Sequence, residues 1–298
     1  MSTVKIQFTL FSAFYSPLIL TMAGGFLKQE GLDHEWSVSP PGKPATESIA
    51  DGSADVVQSA PSQAFNAIAR GETDYPLHFA QINEMDGFFI TGREADADFS
   101  WHRLEGAEVV MFGGGQPNAM FRYACHQAGI DYQKIIPITP GGADAIDQAF
   151  RAGQGRYVQQ QGPYPQQLEQ DGLGRVLAQV GPMIGPCAFS SLAASREWLQ
   201  TEEARAFTRA YAVARQYLNQ VPAAEIAVLL QSYFPGVSLT ALESCISSYQ
   251  HLGCWTPYIE ITRPAFEVTL DVFEFTGGIA QRYPYEMVCT AAPDVGTE

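Results

Sequence analysis

The segment Gly113-Gly-Gly-Gln-Pro-Asn118 places three glycines and two amide side chains between a strand-like and a helix-like stretch. Gly113, Gly114 and Gly115 remove the Cβ barrier to close backbone approach. A helix starting at Gln116 to Asn118 would present unpaired N–H groups to an anion or a carbonyl. The same segment also reads as a plain flexible turn capped by Asn118. It is neither a G-x-x-x-x-G-K-[ST] phosphate loop nor a G-x-G-x-x-G dinucleotide loop, so nucleotide chemistry is poorly supported.

Other segments share its position after a strand. The loop Ser12–Ser16 offers hydroxyls and the aromatic rings Phe14 and Tyr15. Ser59–Ser62 offers hydroxyls on both sides of a proline. Gln81-Ile-Asn83 with Asp86 offers an amide and a carboxylate suited to a ligand amine. Gln160–Tyr164 offers amide donors and a stacking face, or simply a solvated turn. Phe14, Tyr15 and Tyr164, with Trp255, suit a planar ligand. Trp255 and Tyr258 read equally as core packing on the first sheet.

Catalytic and metal chemistry find no such support. No Ser-His-Asp set, paired acids or basic cluster stands at usable spacing. The five histidines (His34, His78, His102, His126, His251) lack metal-ligand spacing, so neither a metal nor a cofactor is expected. The five cysteines (Cys125, Cys187, Cys245, Cys254, Cys289) form no C-x-x-C and read as buried small hydrophobes. A Cys245–Cys254 disulfide would require oxidation.

Loops need elements to hold them. With 298 residues, 46% hydrophobic and 16% charged, the chain supports a large core. At about 100–150 residues per domain it suggests two lobes. The net charge of −15 disfavours phosphate backbones and anionic lipid headgroups, so no nucleic acid or membrane partner is expected. No apolar run reaches the ~18–20 residues of a transmembrane helix. Residues 8–27 come closest, but Ser12, Ser16, Pro17 and Gly24-Gly25 interrupt them. They read as a first strand, Val4–Phe11, and a helix, Pro17–Gln29, rather than as a signal peptide.

Strand and helix periods then alternate. Strands are expected at His34–Val38, Asp55–Gln58, Leu77–Ile82 and Gly87–Thr91, with helices at Thr46–Ala50 and Ser62–Arg70. The rhythm restarts with strands Glu108–Phe112, Lys134–Ile138 and Arg156–Gln160 around helices Asn118–Ala128 and Ala143–Arg151. Residues 49–58 and 149–158 match in plan: a helix end, a glycine, then a short strand. This duplication implies two similar parallel-sheet lobes. Helices Glu197–Gln220, Ala223–Tyr233, Leu239–His251 and Pro264–Gly277 complete the chain.

Several motifs resemble the sulfonate-, taurine- and thiamine-precursor-binding branch of the solute-binding proteins of ABC importers. Ala23-Gly-Gly-Phe-Leu-Lys-Gln-Glu-Gly-Leu-Asp33 is similar to that family's helix end. Asp51-Gly-Ser-Ala-Asp-Val-Val57 resembles its "SGxADV", and Leu104-Glu-Gly-Ala-Glu108 its second-lobe opening. Phe266, Asp271, Gly277-Gly278 and Tyr283-Pro-Tyr-Glu286 resemble its closing helix and tail. The order is kept over roughly residues 4–290.

The resemblance implies a two-lobed periplasmic-binding-protein fold of type II, each lobe a mainly parallel sheet flanked by helices. Residues 1–90 with 190–298 would form one lobe and 91–189 the other. The crossings would lie near Thr91–Gly92 and Gly185–Phe189. A small, planar or anionic solute would bind between the lobes. The loops at the carboxyl ends of the strands, where open α/β sheets bind ligands, give the candidate ligand set Ser12, Phe14, Tyr15, Ser59, Ser62, Asn83, Asp86, Gly113, Gly114, Gly115, Gln116, Asn118, Gln160 and Tyr164. An ABC permease would be the partner of a monomer in the periplasm or at the cell surface. A cytoplasmic enzyme of the same fold, acting on a heteroaromatic or sulfur-containing metabolite, is the alternative. Two departures weigh against it: Asp55–Gln63 lacks the histidine of the pyrimidine synthases, and Ile184–Ser190 has one cysteine where they carry a cluster.

Overall fold

In chain order, β1 (Ser2–Phe8), α1 (Ser16–Ala23), α2 (Phe26–Gln29), β2 (Leu32–Val38), α3 (Ala45–Ala50), β3 (Val56–Ser59), α4 (Pro61–Ala69), β4 (Leu77–Asn83) and β5 (Phe88–Gly92) open the molecule. This is a computed structural model describing residues 2–40 and 42–293. The pattern recurs through β6 (Glu108–Val110), α5 (Gly115–Gln127), β7 (Ile136–Ile138), α6 (Ala143–Arg151), β8 (Tyr157–Gln161), α7 (Tyr164–Gln170), β9 (Arg175–Gln179), α8 (Gly181–Ile184) and β10 (Ser190–Ala194). Then come α9 (Glu202–Gln220), α10 (Ala223–Leu230), α11 (Leu239–Leu252), α12 (Arg263–Thr276) and α13 (Tyr285–Val288).

The strands form two five-stranded sheets with the orders β2-β1-β3-β10-β4 and β7-β6-β8-β5-β9. In the first, β1, β2 and β3 are parallel and β10 runs antiparallel to both β3 and β4. In the second, β6, β7 and β8 are parallel and β5 runs antiparallel to β8 and β9. The antiparallel strand of each sheet thus enters directly from the other sheet. The result is a two-lobed α/β molecule whose lobes share one strand order.

The crossings lie at residues 84–87 and 180–189. A boundary at residue 90 is therefore corrected, because the expected crossing at Thr91–Gly92 falls inside β5. Phe88, Phe89 and Ile90 are each at most 1% exposed, and they find partners on both edges only between β8 and β9. Other differences are local. β1 stops at Phe8 rather than Phe11, and the expected helix Pro17–Gln29 breaks at Gly24-Gly25. The strands β9 and β10 and the helix α7 were not expected.

One apolar core runs through both sheets. A smaller one, with Ile146, Phe150 and Leu168, lies between β8 and its covering helices. α9 shows how the outer helices arise. Thr201 caps it by accepting the Ala204 N–H at 3.1 Å, and Glu202 and Glu203 oppose its dipole. Phe207, Ala210, Tyr211, Ala214 and Leu218 then bury one stripe at helical spacing. From the same helix Arg215, fully buried, donates to Gln81 O at 3.0 Å, Ile82 O at 2.8 Å and Thr256 O at 2.5 Å. It thereby pins the end of β4 beside the first crossing. All five cysteines are free and buried, so Cys245 and Cys254 are not bridged. No helix among the described residues is long and apolar enough to cross a membrane.

Candidate functional site

β3 is the central strand of the first sheet and β6 the second strand of the other, and each runs through a short loop into a helix. The N-termini of those helices, α4 and α5, open on one cleft of about 740 Å³ between the lobes. Their N-cap residues are Ala60 and Gly114, and neither provides a capping side chain. Pro61 and Pro117 carry no N–H and the Gln63 N–H donates to Ala60 O at 2.9 Å, so the first-turn N–H groups left without a capping side chain are those of Ser62 in α4 and of Gly115 and Gln116 in α5. Gly115 has φ +68, a backbone only glycine adopts freely, which turns the loop into α5. Gly114 is extended, and the position of its missing Cβ is open space facing no neighbour within 4 Å.

The cleft walls are rich in hydrogen-bond donors. Gln58 Oε1 accepts from Thr9 N–H at 3.1 Å, Thr9 O–H at 3.0 Å and Leu10 N–H at 3.3 Å. Its amide nitrogen is thus the end left for the cleft. Gln161 Nε2 donates to the Tyr15 hydroxyl at 3.4 Å, so that hydroxyl keeps its own proton to give. Burial pushes the Tyr15 phenol up to about 12, which holds it neutral and donating. Ser59 Oγ and Gln161 Oε1 are buried with no partner, although both residues line the cleft. Orphaned polar atoms in a lined cavity are what a ligand would satisfy.

Arg122 is the only charged side chain lining the cleft among the described residues. It donates to Thr276 O at 3.5 Å and lies 5.8 Å from the Tyr132 ring centroid. In a chain of net charge −15, the cleft thus carries local positive charge and no carboxylate. Gln116 spans the lobes: it accepts from the Ser62 hydroxyl at 2.8 Å and donates to Phe189 O at 2.5 Å.

Of the residues expected at the site, Tyr15, Ser59, Ser62, Gly113, Gly114, Gly115, Gln116 and Asn118 line this cleft. Asn118 lies within α5 rather than at its cap, and braces the loop by donating to Phe112 O at 3.1 Å and the Tyr132 hydroxyl at 2.9 Å. The other six are elsewhere. Ser12 caps a short helical turn through the Phe14 N–H and donates to Gly162 O at 2.7 Å. Phe14 is core, ringed by Tyr15, Phe189 and Tyr249. Asn83 is fully buried, accepting from Trp255 Nε1–H at 2.8 Å and donating to Ser190 Oγ at 2.7 Å. Trp255 is likewise core.

Asp86 is buried at the crossing, where Oδ1 accepts the Phe88 N–H at 2.7 Å and Oδ2 has no partner. Burial pushes its carboxyl up to about 7, against that one backbone hydrogen bond. Gln160 is fully buried and donates to Asp147 Oδ1 at 3.3 Å, because alternation along β8 turns Gln161, not Gln160, toward the cleft. Tyr164 lines a separate cavity and donates to Asp144.

Gln58 and Arg122 were missed, and Gln161 was not singled out within the loop Gln160–Tyr164. Signals for them existed. The two glutamines are polar residues near the carboxyl ends of fully buried strands, and Arg122 repeats the face of Gly115 and Ala119 at i+7 and i+3.

The model of the NMT1-like family matches residues 3–231. YtlA of Bacillus subtilis (strain 168), whose name gives a binding role and no ligand, is 26% identical over 292 residues, covering 97% of this chain and 87% of YtlA. The alkanesulfonate-binding protein SsuA from Xanthomonas axonopodis pv. citri, solved bound to MOPS, superposes with a TM-score of 0.74 at 19% identity, over 97% of this chain and 98% of that one. The Candida albicans CA3427 gene product, of the generic periplasmic binding protein fold, gives a TM-score of 0.65 at 13% identity over 100% and 99% of the two chains. The likeness to these structures is one of fold, and the fold of this chain is that of the periplasmic binding proteins.

Proposed function

The chain belongs to the NMT1-like family, and from that premise we propose that it is the solute-binding component of an ABC importer, holding a small organic anion between its lobes. One observation carries the choice of ligand. Two helix N-termini without a capping side chain, one from each lobe, converge on a cleft whose only charged side chain among the described residues is Arg122. Helix N-termini favour negative charge, and a guanidinium binds carboxylate, sulfonate or phosphate oxygens in pairs. The name of SsuA, which gives an alkanesulfonate as its ligand, supports the same class.

In this reading the lobes are residues 2–87 with 190–293 and residues 88–189. The ligand's charge is met by α4 and α5, the Gln58 amide and Arg122, while Tyr15, Phe112 and Phe189 give the apolar walls. Because these groups come from both lobes, the ligand favours the closed arrangement, which an ABC permease would recognise. The protein acts as a monomer in the periplasm or at the cell surface.

A thermal-shift screen tests the ligand class. Sodium salts of small sulfonates and carboxylates should raise the melting temperature with concentration, as mass action requires. The reading fails if only cationic or neutral compounds do so, or if a bound anion is recovered chemically converted.

A further inference from the structure

A second cavity of about 330 Å³ opens between the lobes, sharing no lining residue with the main cleft. Leu10 and Gln161 face the cleft, while Phe11 and Pro163 face the cavity; Ser12 and Gly162, bonded at 2.7 Å, stand between them. Its chemistry is the opposite of the cleft's. Phe11, Tyr233 and Phe234 of one lobe and Tyr164 of the other supply aromatic walls.

These rings are held in place by one another. Phe11 stacks on Trp36 at 4.9 Å and lies 5.3 Å from Phe234, while Tyr233 lies 5.6 Å from Trp36. Asp144 and Asp147 line the same space. Arg151, which also lines the cavity, pairs with Asp147 at 2.5 Å and with Asp171 at 2.7 Å, so two carboxylates share its one guanidinium. Among the described residues Asp144 pairs with no cation and accepts only from the Tyr164 hydroxyl.

We infer that this cavity is a second binding compartment, taking a small organic cation such as a primary or quaternary amine. Aromatic faces and an unneutralised carboxylate are the groups that hold an ammonium, and the same set repels the anion suited to the main cleft. The volume is at the lower end of ligand sites, which fits a solute of one ring or less. Since α6, α7 and the Tyr233–Phe234 turn belong to different lobes, an occupant here also favours closure.

The test is calorimetric titration with phenethylammonium chloride and its neutral isostere 2-phenylethanol. Phenethylammonium should bind saturably at millimolar concentration or below, and 2-phenylethanol should not. Asp144→Asn and Phe234→Leu should each weaken it about tenfold, with circular dichroism unchanged, and Arg122→Gln should leave it as it is. No saturable binding, equal binding of 2-phenylethanol, or unchanged affinity in Asp144→Asn overturns the proposal. An affinity changed in Arg122→Gln, and a rise above all, also overturns it, by placing the amine beside that guanidinium in the main cleft. None of these outcomes touches the anion screen above.

Discussion

Ser62 and Gln116 stand on opposite lobes, and the Ser62 hydroxyl donates to Gln116 Oε1 at 2.8 Å. In the proposed function this hydrogen bond is made when the lobes close on the ligand. Ser62→Ala should therefore cost about 1 kcal/mol of closure, or roughly fivefold in affinity. Titration of a ligand from the anion screen reads the change, which should fall on the dissociation rate with the melting temperature of the free protein nearly constant.

Arg122 gives the sharpest test of the anion reading. Arg122→Gln keeps an amide in place and removes the charge. Affinity for an anion should drop about ten- to a hundredfold, the worth of a charge-assisted hydrogen bond. The dependence of affinity on salt should flatten with it. Equal affinity and equal salt slope in parent and variant would remove Arg122 from the site.

Gly114 is extended, with open space where its Cβ would stand. Gly114→Val should fold normally and put its side chain into the cleft between α4 and α5. Binding should weaken by at least about tenfold, while circular dichroism and melting temperature stay near the parent values. Glu243→Ala, on exposed α11 surface, is the control and should change neither.

Asp86 predicts how stability responds to pH. Its carboxyl titrates at about 7 when folded, against an ordinary value of 3.8. Between those values the folded state holds a proton that the unfolded state has lost. The stabilising contribution is full below about pH 4, falls as pH rises toward 7, and is flat above, a span of about 4 kcal/mol. Glu84 is shifted the same way by burial, so the variant must isolate Asp86. In Asp86→Asn the difference in unfolding free energy between pH 5 and pH 8 should shrink, with the gain at pH 8. A parent-like slope would assign the dependence elsewhere.

Arg215 is a prediction about the frame rather than the site. Lysine reaches one or two of the carbonyls that the guanidinium spans and leaves the rest unpaired. Arg215→Lys should destabilise by about 3 kcal/mol in denaturant melts, and Arg215→Met by at least as much.

The alternation of buried strands and glycine-ended helices was readable because the parallel strands β1–β3 and β6–β8 of the two mixed sheets need it. α12, for instance, ends on the left-handed Gly277, as its sequence suggested. β10 was not readable. Ser-Ser-Leu-Ala-Ala contains no β-branched or aromatic residue, and it is a strand because β3 and β4 leave a place between them. At the candidate site the loops at strand ends were visible, but the direction of each side chain was not. Asn83 and Asp86 look like ligand contacts from their polarity and position, yet Trp255 and Ser190 occupy Asn83, and Asp86 is buried at the crossing outside the cleft with Oδ1 on the Phe88 N–H. Gln58 looks like strand interior, yet Thr9 and Leu10 turn its amide outward. Both outcomes depend on partners far away in sequence.

The exchange of β5 and β10 between the sheets imposes an order on biogenesis. Residues 88–189 form an uninterrupted stretch holding all five strands of their sheet, so that lobe can be complete before the rest of the chain is made. The first lobe cannot. When β4 leaves the ribosome, its place beside β3 is still missing the strand that separates them, and that strand is more than a hundred residues away. Until Ser190–Ala194 emerges, β3 and β4 each offer an open, apolar edge. The lobe begun first is therefore the lobe finished last, and the interval between is when a nascent chain of this protein most needs a chaperone.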